Sequence, residues 1–261
     1  QEQGNGYPVI LIHGMFGSLS NLGNLARYLS SQFRVISVDL RNHGDSPHDS
    51  VFDMATMAED IIYLMDILSL PSAFIVGHSL GGKVGMQLAL SHSDRVNKLV
   101  VADISPVKYQ PRNDPALNGL IALSEASIQS RNQAEELLAD FISDGQTRAF
   151  LLKNLKRKDD DRFVLKLNIK AVTENYGTAL VAAPSGDQFD NPCLFIKGET
   201  SAYIQEKHRP IIKDMFPNSQ VNVISGAGHW LHAEKPKLFN NEVMEFFTTN
   251  SVSYTHLRAH E

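Results

Sequence analysis

The sequence contains one cysteine, Cys193, and has no apolar run that approaches the length of a membrane span. A single cysteine excludes an intrachain disulfide. A transmembrane helix needs about 20 consecutive apolar residues, and no such stretch is present. The first ten residues also lack the basic start and the apolar run of a signal peptide. We therefore expect a soluble protein of the cytoplasm.

Positive charge is also scarce. The chain has 24 Lys and Arg against 29 Asp and Glu, for a formal net charge of −5. This balance argues against a nucleic-acid partner. The 10 histidines and Cys193 form no recognisable metal-ligand set, so we expect no metal and no cofactor. The composition leaves the oligomeric state open.

Six short apolar runs rich in Val and Ile are separated by helical patterns. They occupy residues 7–13, 33–39, 73–78, 98–104, 193–198 and 220–226. Near-continuous apolar strands alternating with helices are typical of a parallel sheet that is covered on both faces. With 261 residues, of which 43% are hydrophobic, the chain can form one α/β domain with an insertion.

Helical periodicity fills the intervals between these runs. Asp53 is predicted to cap a helix that begins near residues 54–58 and ends before Pro71. A further helix is expected directly after Ser79. In the final helix, the pattern predicts that four apolar side chains face inward: Leu238, Val243, Phe246 and Phe247.

The segment from 106 to 190 differs in character from the rest of the chain. Its patterns are helical, and none of its apolar runs is long enough to join the sheet. We interpret it as a helical cap inserted before the penultimate strand, with residues 1–105 and 191–250 forming the α/β core. Residues 251–261 have no periodicity and are interpreted as a non-native or disordered tail.

The stretch GHSLG, residues 77–81, joins a predicted strand to a predicted helix. A G-x-S-x-G pattern occurs by chance in roughly one chain in ten of this length, so the context carries the interpretation. A turn this tight strains the central residue and presses positions 77 and 81 against neighbouring backbone, where only glycine fits. Ser79 is therefore predicted to be an exposed nucleophile.

A serine hydroxyl needs a base to accept its proton. His229 follows the last predicted strand, and a serine that precedes the histidine matches the chain order of one class of serine hydrolase. His13 and His43 lie beside glycines and are interpreted as hydrogen-bonded turn residues. His232 is interpreted as a neighbour of the site or a surface residue.

Two carboxylates are candidates for the group that orients the histidine. Asp103 lies at the end of a strand, one strand beyond Ser79, at the edge where functional groups gather. Glu199 follows the penultimate strand. We favour Asp103 and keep Glu199 as the alternative, and we interpret Asp39 as an anchor of its own turn.

An oxyanion formed at this site would need amide donors. The main-chain N–H groups of Leu80, after the nucleophile, and Met15, after the first strand, are predicted to supply them. Phe16, His78 and Trp230 are predicted to form the wall of the substrate pocket.

Five motifs in this order resemble the YbfF-type esterases of the α/β-hydrolase superfamily: HGMFGSLSNLG, VDLRNHGDSP, GHSLGGKVGMQLA, ADISPV and GAGHWLHAEKP. The resemblance implies an α/β-hydrolase fold with a helical cap above the site. It also implies hydrolysis of carboxylic esters and acyl-CoA thioesters. In that family the acid lies in a D-I-x-P motif, which corresponds to Asp103. The chain departs from the family pattern in one respect, because it opens directly on the strand before HG, so we expect the first strands of the superfamily to be short or missing.

The leading hypothesis is a carboxylesterase that acts on a small acyl ester through an acyl-enzyme formed on Ser79. An acyl-CoA thioesterase that uses the same Ser79, His229 and Asp103 triad is the alternative. A non-catalytic ligand-binding protein of this fold is a third hypothesis. Because the histidine must be neutral to act as a base, activity should rise as pH passes roughly 6–7. An epoxide hydrolase or dehalogenase is excluded, since those enzymes need an aspartate at position 79.

Overall fold

The protein is described by a computed structural model. It describes residues 1–111, 113–159, 162–178 and 180–249, so the predicted tail at 251–261 lies outside the described residues. The strands are β1 (Glu2–Gln3), β2 (Pro8–Ile12), β3 (Arg34–Val38), β4 (Ala73–His78), β5 (Val96–Ala102), β6 (Leu155–Arg157), β7 (Phe163–Leu165), β8 (Cys193–Gly198) and β9 (Ser219–Ile224). The α-helices are α1 (Gly23–Leu29), α2 (Met54–Ile67), α3 (Leu80–Ser91), α4 (Pro115–Glu125), α5 (Arg131–Ala139), α6 (Gly145–Leu151), α7 (Ile169–Tyr176), α8 (Arg209–Met215), α9 (Leu231–Glu234) and α10 (Pro236–Thr248).

The main sheet has seven strands in the order β1-β3-β2-β4-β5-β8-β9. All neighbouring pairs are parallel except β1 with β3. The six apolar runs correspond to β2, β3, β4, β5, β8 and β9, which confirms the predicted mostly parallel sheet. The one strand that precedes the first apolar run in the described residues, β1, has only two residues.

Alternate residues of the central strands enter separate hydrophobic layers. On β2, Ile10 and Ile12 belong to the layer that contains α2 and α3, whereas Val9 and Leu11 pack with α1 and α10. This division follows from the two-residue side-chain period of a strand. The sheet is therefore covered by helices on both faces, and the carboxyl ends of its parallel strands form one common edge.

The prediction that Asp53 caps α2 is confirmed, whereas the prediction of which α10 side chains face inward is partly wrong. The Asp53 carboxylate accepts a hydrogen bond from Thr56 N–H at 2.8 Å. In α10, however, Leu238 is 51% exposed and Phe239 is fully buried. The helix begins at Pro236 and turns the row Phe239, Val243 and Phe247 towards the sheet, because residues four apart share a face.

The insertion between β5 and β8 contains α4 to α7 and the hairpin β6–β7. The strands of the hairpin pair with each other, so among its described residues the insertion contributes no strand to the main sheet, as expected. The hairpin itself was missed, since three-residue strands are too short to show an alternating pattern. In the described residues, no helix is both long and apolar enough to cross a bilayer.

Candidate active site

Ser79 occupies a strained turn between β4 and α3, with φ 52° and ψ −116°. A Cβ at Gly77 would lie 2.1 Å from the Gly81 carbonyl oxygen, and one at Gly81 would lie 2.2 Å from the carbonyl oxygen of Ile12. The backbone N–H of Ser79 donates to the Ala102 carbonyl at 3.0 Å, which ties the turn to β5. The predicted need for glycine at both positions is confirmed, and the serine stands half-buried at the carboxyl edge.

His229 connects Ser79 with Asp103. Its Nε2 lies 3.1 Å from Ser79 Oγ, and its Nδ1 lies 2.7 Å from Asp103 Oδ2. Asp103 follows β5 and is fully buried, while the His229 side chain is 22% exposed. Residues 24 to 150 positions apart in the chain thus form one continuous hydrogen-bonded line.

The Asp103 carboxylate is held by donors from the last residue of β8 and from the loop that follows it. Gly198 N–H donates to Oδ1 at 3.0 Å, and the Ser201 hydroxyl donates to Oδ2 beside His229. Glu199, the alternative acid, instead accepts a hydrogen bond from Gly226 N–H at 2.7 Å. Of the two candidate carboxylates, Asp103 is the one that the structure brings to the histidine.

Two further groups position His229, and sequence reasoning missed both. The Glu234 carboxylate on α9 accepts hydrogen bonds from the N–H groups of Gly228 and Trp230, which flank the histidine. The Tyr203 ring stacks on the imidazole, with ring centroids 4.2 Å apart. The HAE sequence at residues 232–234 is a weak sequence signal for the contact with Glu234. No sequence pattern near Tyr203 predicts that its ring stacks on His229.

The loop after β2 carries Met15 and is fixed by two buried histidines. His13 Nδ1–H donates to the Gly14 carbonyl at 2.8 Å, and Phe16 N–H donates to His43 Nε2 at 3.3 Å. Burial lowers the pKa of His13 to about 4 and that of His43 to about 3, so both rings are neutral at physiological pH. The expectation that these two histidines are hydrogen-bonded turn residues is confirmed.

Met15 and Leu80 each follow a residue at the nucleophile: a Cβ built on Gly14 would lie 3.3 Å from Ser79 Cβ, and Leu80 follows Ser79 directly. Met15 follows the pinned Gly14, and Leu80 is the first residue of α3. The N–H groups in the first turn of a helix have no acceptor within that helix, and they lie at the positive end of its dipole. Leu80 N–H is one of these groups, since Leu80 is the first residue of α3.

The three residues assigned to the pocket wall differ in their surroundings. Phe16 is buried with φ 62°, and its carbonyl accepts from Asn154 Nδ2 at 2.8 Å. His78 is 2% exposed, and its Nε2–H donates to the His229 carbonyl at 2.9 Å. Trp230 packs against Phe150 of α6, with ring centroids 4.3 Å apart. His78 thus contacts the main chain of His229 from the interior. Trp230, in contrast, lies where the insertion meets the core.

The sheet, the strained serine turn and the hydrogen-bonded line define the class of protein. The chain belongs to the α/β hydrolase fold family, whose model matches residues 7–236.

Its relatives include the esterase YbfF of Escherichia coli K12, which is 39% identical over 90% of this chain and 91% of that protein. The sn-1-specific diacylglycerol lipase ABHD11 of Mus musculus is 35% identical over 91% of this chain and 80% of that protein. A solved structure described as a marine microorganism esterase superimposes with a TM-score of 0.89 at 38% identity, covering 94% of this chain and 97% of that one.

Proposed function

We propose that the protein is a serine carboxylesterase that cleaves its substrate through an acyl-enzyme on Ser79. The observation that carries the proposal is the position of His229, whose two ring nitrogens lie 3.1 Å from Ser79 Oγ and 2.7 Å from Asp103 Oδ2. The esterase and lipase names of the relatives support ester hydrolysis as the reaction.

In the first half of the proposed reaction, Ser79 Oγ attacks the ester carbonyl while His229 Nε2 takes the hydroxyl proton. The carbonyl oxygen becomes an oxyanion and accepts hydrogen bonds from the N–H groups of Met15 and Leu80. Asp103 holds the Nδ1–H of the imidazole and stabilises the imidazolium. His229 then donates its Nε2 proton to the departing alkoxide, which leaves as an alcohol.

In the second half, a water molecule takes the place of the alcohol. His229 Nε2 accepts a proton from the water as its oxygen attacks the acyl carbonyl. The new tetrahedral species uses the same two amides, and its collapse breaks the bond to Ser79 Oγ. His229 returns the proton to the serine, and the carboxylic acid is released.

The insertion is proposed to act as a cap that covers this site. Two contacts support that role, because Asn154 binds the Phe16 carbonyl and Phe150 packs on Trp230. The insertion therefore meets both the Met15 loop and the His229 loop. We assign residues 106–190 to the cap and residues 1–105 and 191–250 to the core, and we retain the sequence-based expectation of a cytoplasmic location.

The leaving group is an alcohol in our proposal, with a thioester as the second possibility on the same triad. A thiolate leaves more readily than an alkoxide, so the same steps apply to an acyl-CoA. Nitrophenyl esters of increasing acyl length, assayed beside acyl-CoA substrates of matched length, distinguish the two. A preference for the oxygen esters supports the carboxylesterase assignment, whereas a preference for the thioesters replaces it.

The decisive test of the nucleophile is Ser79→Ala. We expect turnover of a short nitrophenyl ester to fall by at least about 10³-fold, because the attacking oxygen is lost while the fold is retained. A fluorophosphonate probe should label the wild type and not this variant. Ser31→Ala, at an exposed serine after α1, serves as the matched control and should retain both activities. Labelling that persists in Ser79→Ala would refute the assignment.

A further inference from the structure

Lys83 is a buried lysine close to the nucleophile that the proposed reaction does not use. It lies in the first turn of α3, where its N–H donates to the Ser79 carbonyl at 3.0 Å, and the residue is 2% exposed. Lysine is almost never fully buried without partners, because removing its ammonium from water is costly. Burial lowers the pKa of Lys83 to about 7, which reflects this cost.

The partners of the Lys83 ammonium are main-chain carbonyls at both ends of the insertion. Nζ donates to Val107 O at 2.9 Å, where the chain enters the insertion. It also donates to Val181 O at 3.2 Å and to Ala182 O, in the segment between α7 and β8 that leads out of the insertion. One side chain of α3 therefore joins two junctions that are more than 70 residues apart in sequence.

Gln87 adds a second attachment one turn further along α3. Its Nε2 donates to the Ser185 carbonyl at 2.8 Å, and its Oε1 accepts from Ser185 N–H at 3.0 Å. Residues four apart lie on the same face of a helix, so Lys83 and Gln87 act on the same stretch of chain. We call this pair the junction clamp.

The junction clamp is continuous with the surroundings of His229. The Lys83 ammonium lies 4.9 Å from the centroid of the Tyr109 ring, a cation–π distance. The Tyr109 hydroxyl donates to the Tyr203 carbonyl at 2.6 Å, and the Tyr203 ring stacks on His229. The first junction of the insertion is thus connected, through two tyrosines, to the imidazole.

We propose that the junction clamp of Lys83 and Gln87 positions the insertion over the active site and thereby sets the preference between short and long acyl esters. The inference rests on the proposed esterase function for its substrate readout. A short acyl group needs only the serine, the histidine and the amide donors. A long one must also contact the insertion, whose position the junctions determine.

The test compares Lys83→Met with Lys98→Met. Lys98 is a matched control because it also binds three main-chain carbonyls, those of Phe246, Phe247 and Thr249, away from the insertion. For Lys83→Met we expect kcat/KM on a nitrophenyl octanoate to fall about tenfold, chiefly through a higher KM. The loss on the acetate should be several-fold smaller. Lys98→Met should leave the octanoate-to-acetate ratio unchanged.

A second readout needs no catalysis. Trp230 is the single tryptophan of the chain, and it contacts Phe150 of the insertion, so quenching of its fluorescence by acrylamide measures the contact between insertion and core. Quenching should increase in Lys83→Met and stay at the wild-type level in Lys98→Met. If the wild type cleaves no ester, the proposed function fails, and the quenching comparison still decides whether the clamp exists.

Gln87→Leu covers the case in which Lys83→Met does not fold. It removes the hydrogen bonds to Ser185 without placing or removing a buried charge. We expect the octanoate-to-acetate ratio of kcat/KM to fall and the quenching of Trp230 to increase, each by less than in Lys83→Met. The proposal is overturned if the folded clamp variants keep the wild-type ester ratio and quenching. It is also overturned if Lys98→Met changes both readouts as much as Lys83→Met does.

Discussion

Three non-glycine residues around the site have positive φ angles: Phe16 at 62°, Ser79 at 52° and Asp103 at 53°. Such conformations cost on the order of 1–3 kcal/mol each and persist only where the surroundings enforce them. The main-chain N–H of each residue is bound, to His43 Nε2, to the Ala102 carbonyl and to the Ile196 carbonyl respectively. Two of the three strained residues, Ser79 and Asp103, are ones that we propose take part in the reaction, and the third, Phe16, follows Met15 in the loop after β2.

Replacement of each candidate acid tests the assignment of Asp103. We expect Asp103→Asn to lower kcat by about 10³–10⁴-fold, because an amide at this position favours the wrong tautomer of His229. Glu199→Gln should leave kcat within about twofold, since Glu199 binds Gly226 N–H and not the imidazole. Steady-state kinetics on one nitrophenyl ester, with circular dichroism to verify folding, gives the comparison. The reverse order of effects would make Glu199 the acid.

At this scale the sequence located the residues that follow strands but not those that support them. Ser79, Asp103 and His229 could be chosen because each comes directly after a recognisable strand. Ser201 and Glu234 could not, since serine and glutamate in loops are common and their direction depends on the folded chain. The choice between Asp103 and Glu199 had the same limit, because both follow strands.

Among the elements, the serine turn depends on how closely α3 approaches β2. A Cβ at Gly81 would meet the Ile12 carbonyl at 2.2 Å, and backbone atoms on both sides leave little room to adjust. At Gly23, the first residue of α1, a Cβ would meet nothing within 4 Å, and φ is already helical at −62°. The two glycines thus offer a comparison of the same substitution in opposite surroundings.

We expect Gly81→Ala to lower the free energy of unfolding by about 2–4 kcal/mol, since overpacked sites force backbone shifts. It should also reduce kcat, because β2 leads into the Met15 loop. Gly23→Ala should be neutral or stabilising by up to about 1 kcal/mol. Urea unfolding of both variants provides the measurement, and equal stability of Gly81→Ala and the wild type would contradict the clash.

The helical phase of α10 and the hairpin β6–β7 show where element prediction failed. The apolar residues of α10 fit more than one helical face, and packing against the layer of α1 and the sheet buries Phe239 rather than Leu238. The hairpin is held within the insertion by long-range contacts, including Phe163 N–H to the Ile128 carbonyl at 2.9 Å. A local pattern contains neither piece of information.

For the molecule as a whole, buried neutral histidines make stability depend on pH. Burial lowers the pKa of several of them below the usual 6.5, among them His13, His43, His78 and His232. Well above pH 6.5 these groups are neutral in both states and contribute no pH dependence to the stability. As pH falls from 6.5 towards 4, these histidines are protonated in the unfolded chain but stay neutral in the native state. The native state therefore loses stability relative to the unfolded state.

We expect the free energy of unfolding to be lower at pH 5.5 than at pH 7.5 by about 1 kcal/mol for each of these histidines. Urea titrations at the two pH values measure the difference. His232→Leu, which removes a ring nitrogen that has no hydrogen-bond partner in the described residues, should reduce the difference by the contribution of one histidine, about 1 kcal/mol. A midpoint that does not change between the two pH values would show that these rings are not buried as neutral groups.

The sequence by itself determined the succession of strands and helices, the glycines around Ser79 and the positions of Asp103 and His229 at strand ends. These features depend on neighbours within a few residues, where periodicity and turn chemistry act. Only the tertiary structure decided that Asp103 and not Glu199 meets the imidazole, that Ser201 and Glu234 hold the pair, and that Lys83 joins both ends of the insertion. The physical reason is the order β4-β5-β8-β9, which places loops distant in sequence side by side and turns some of their side chains inward.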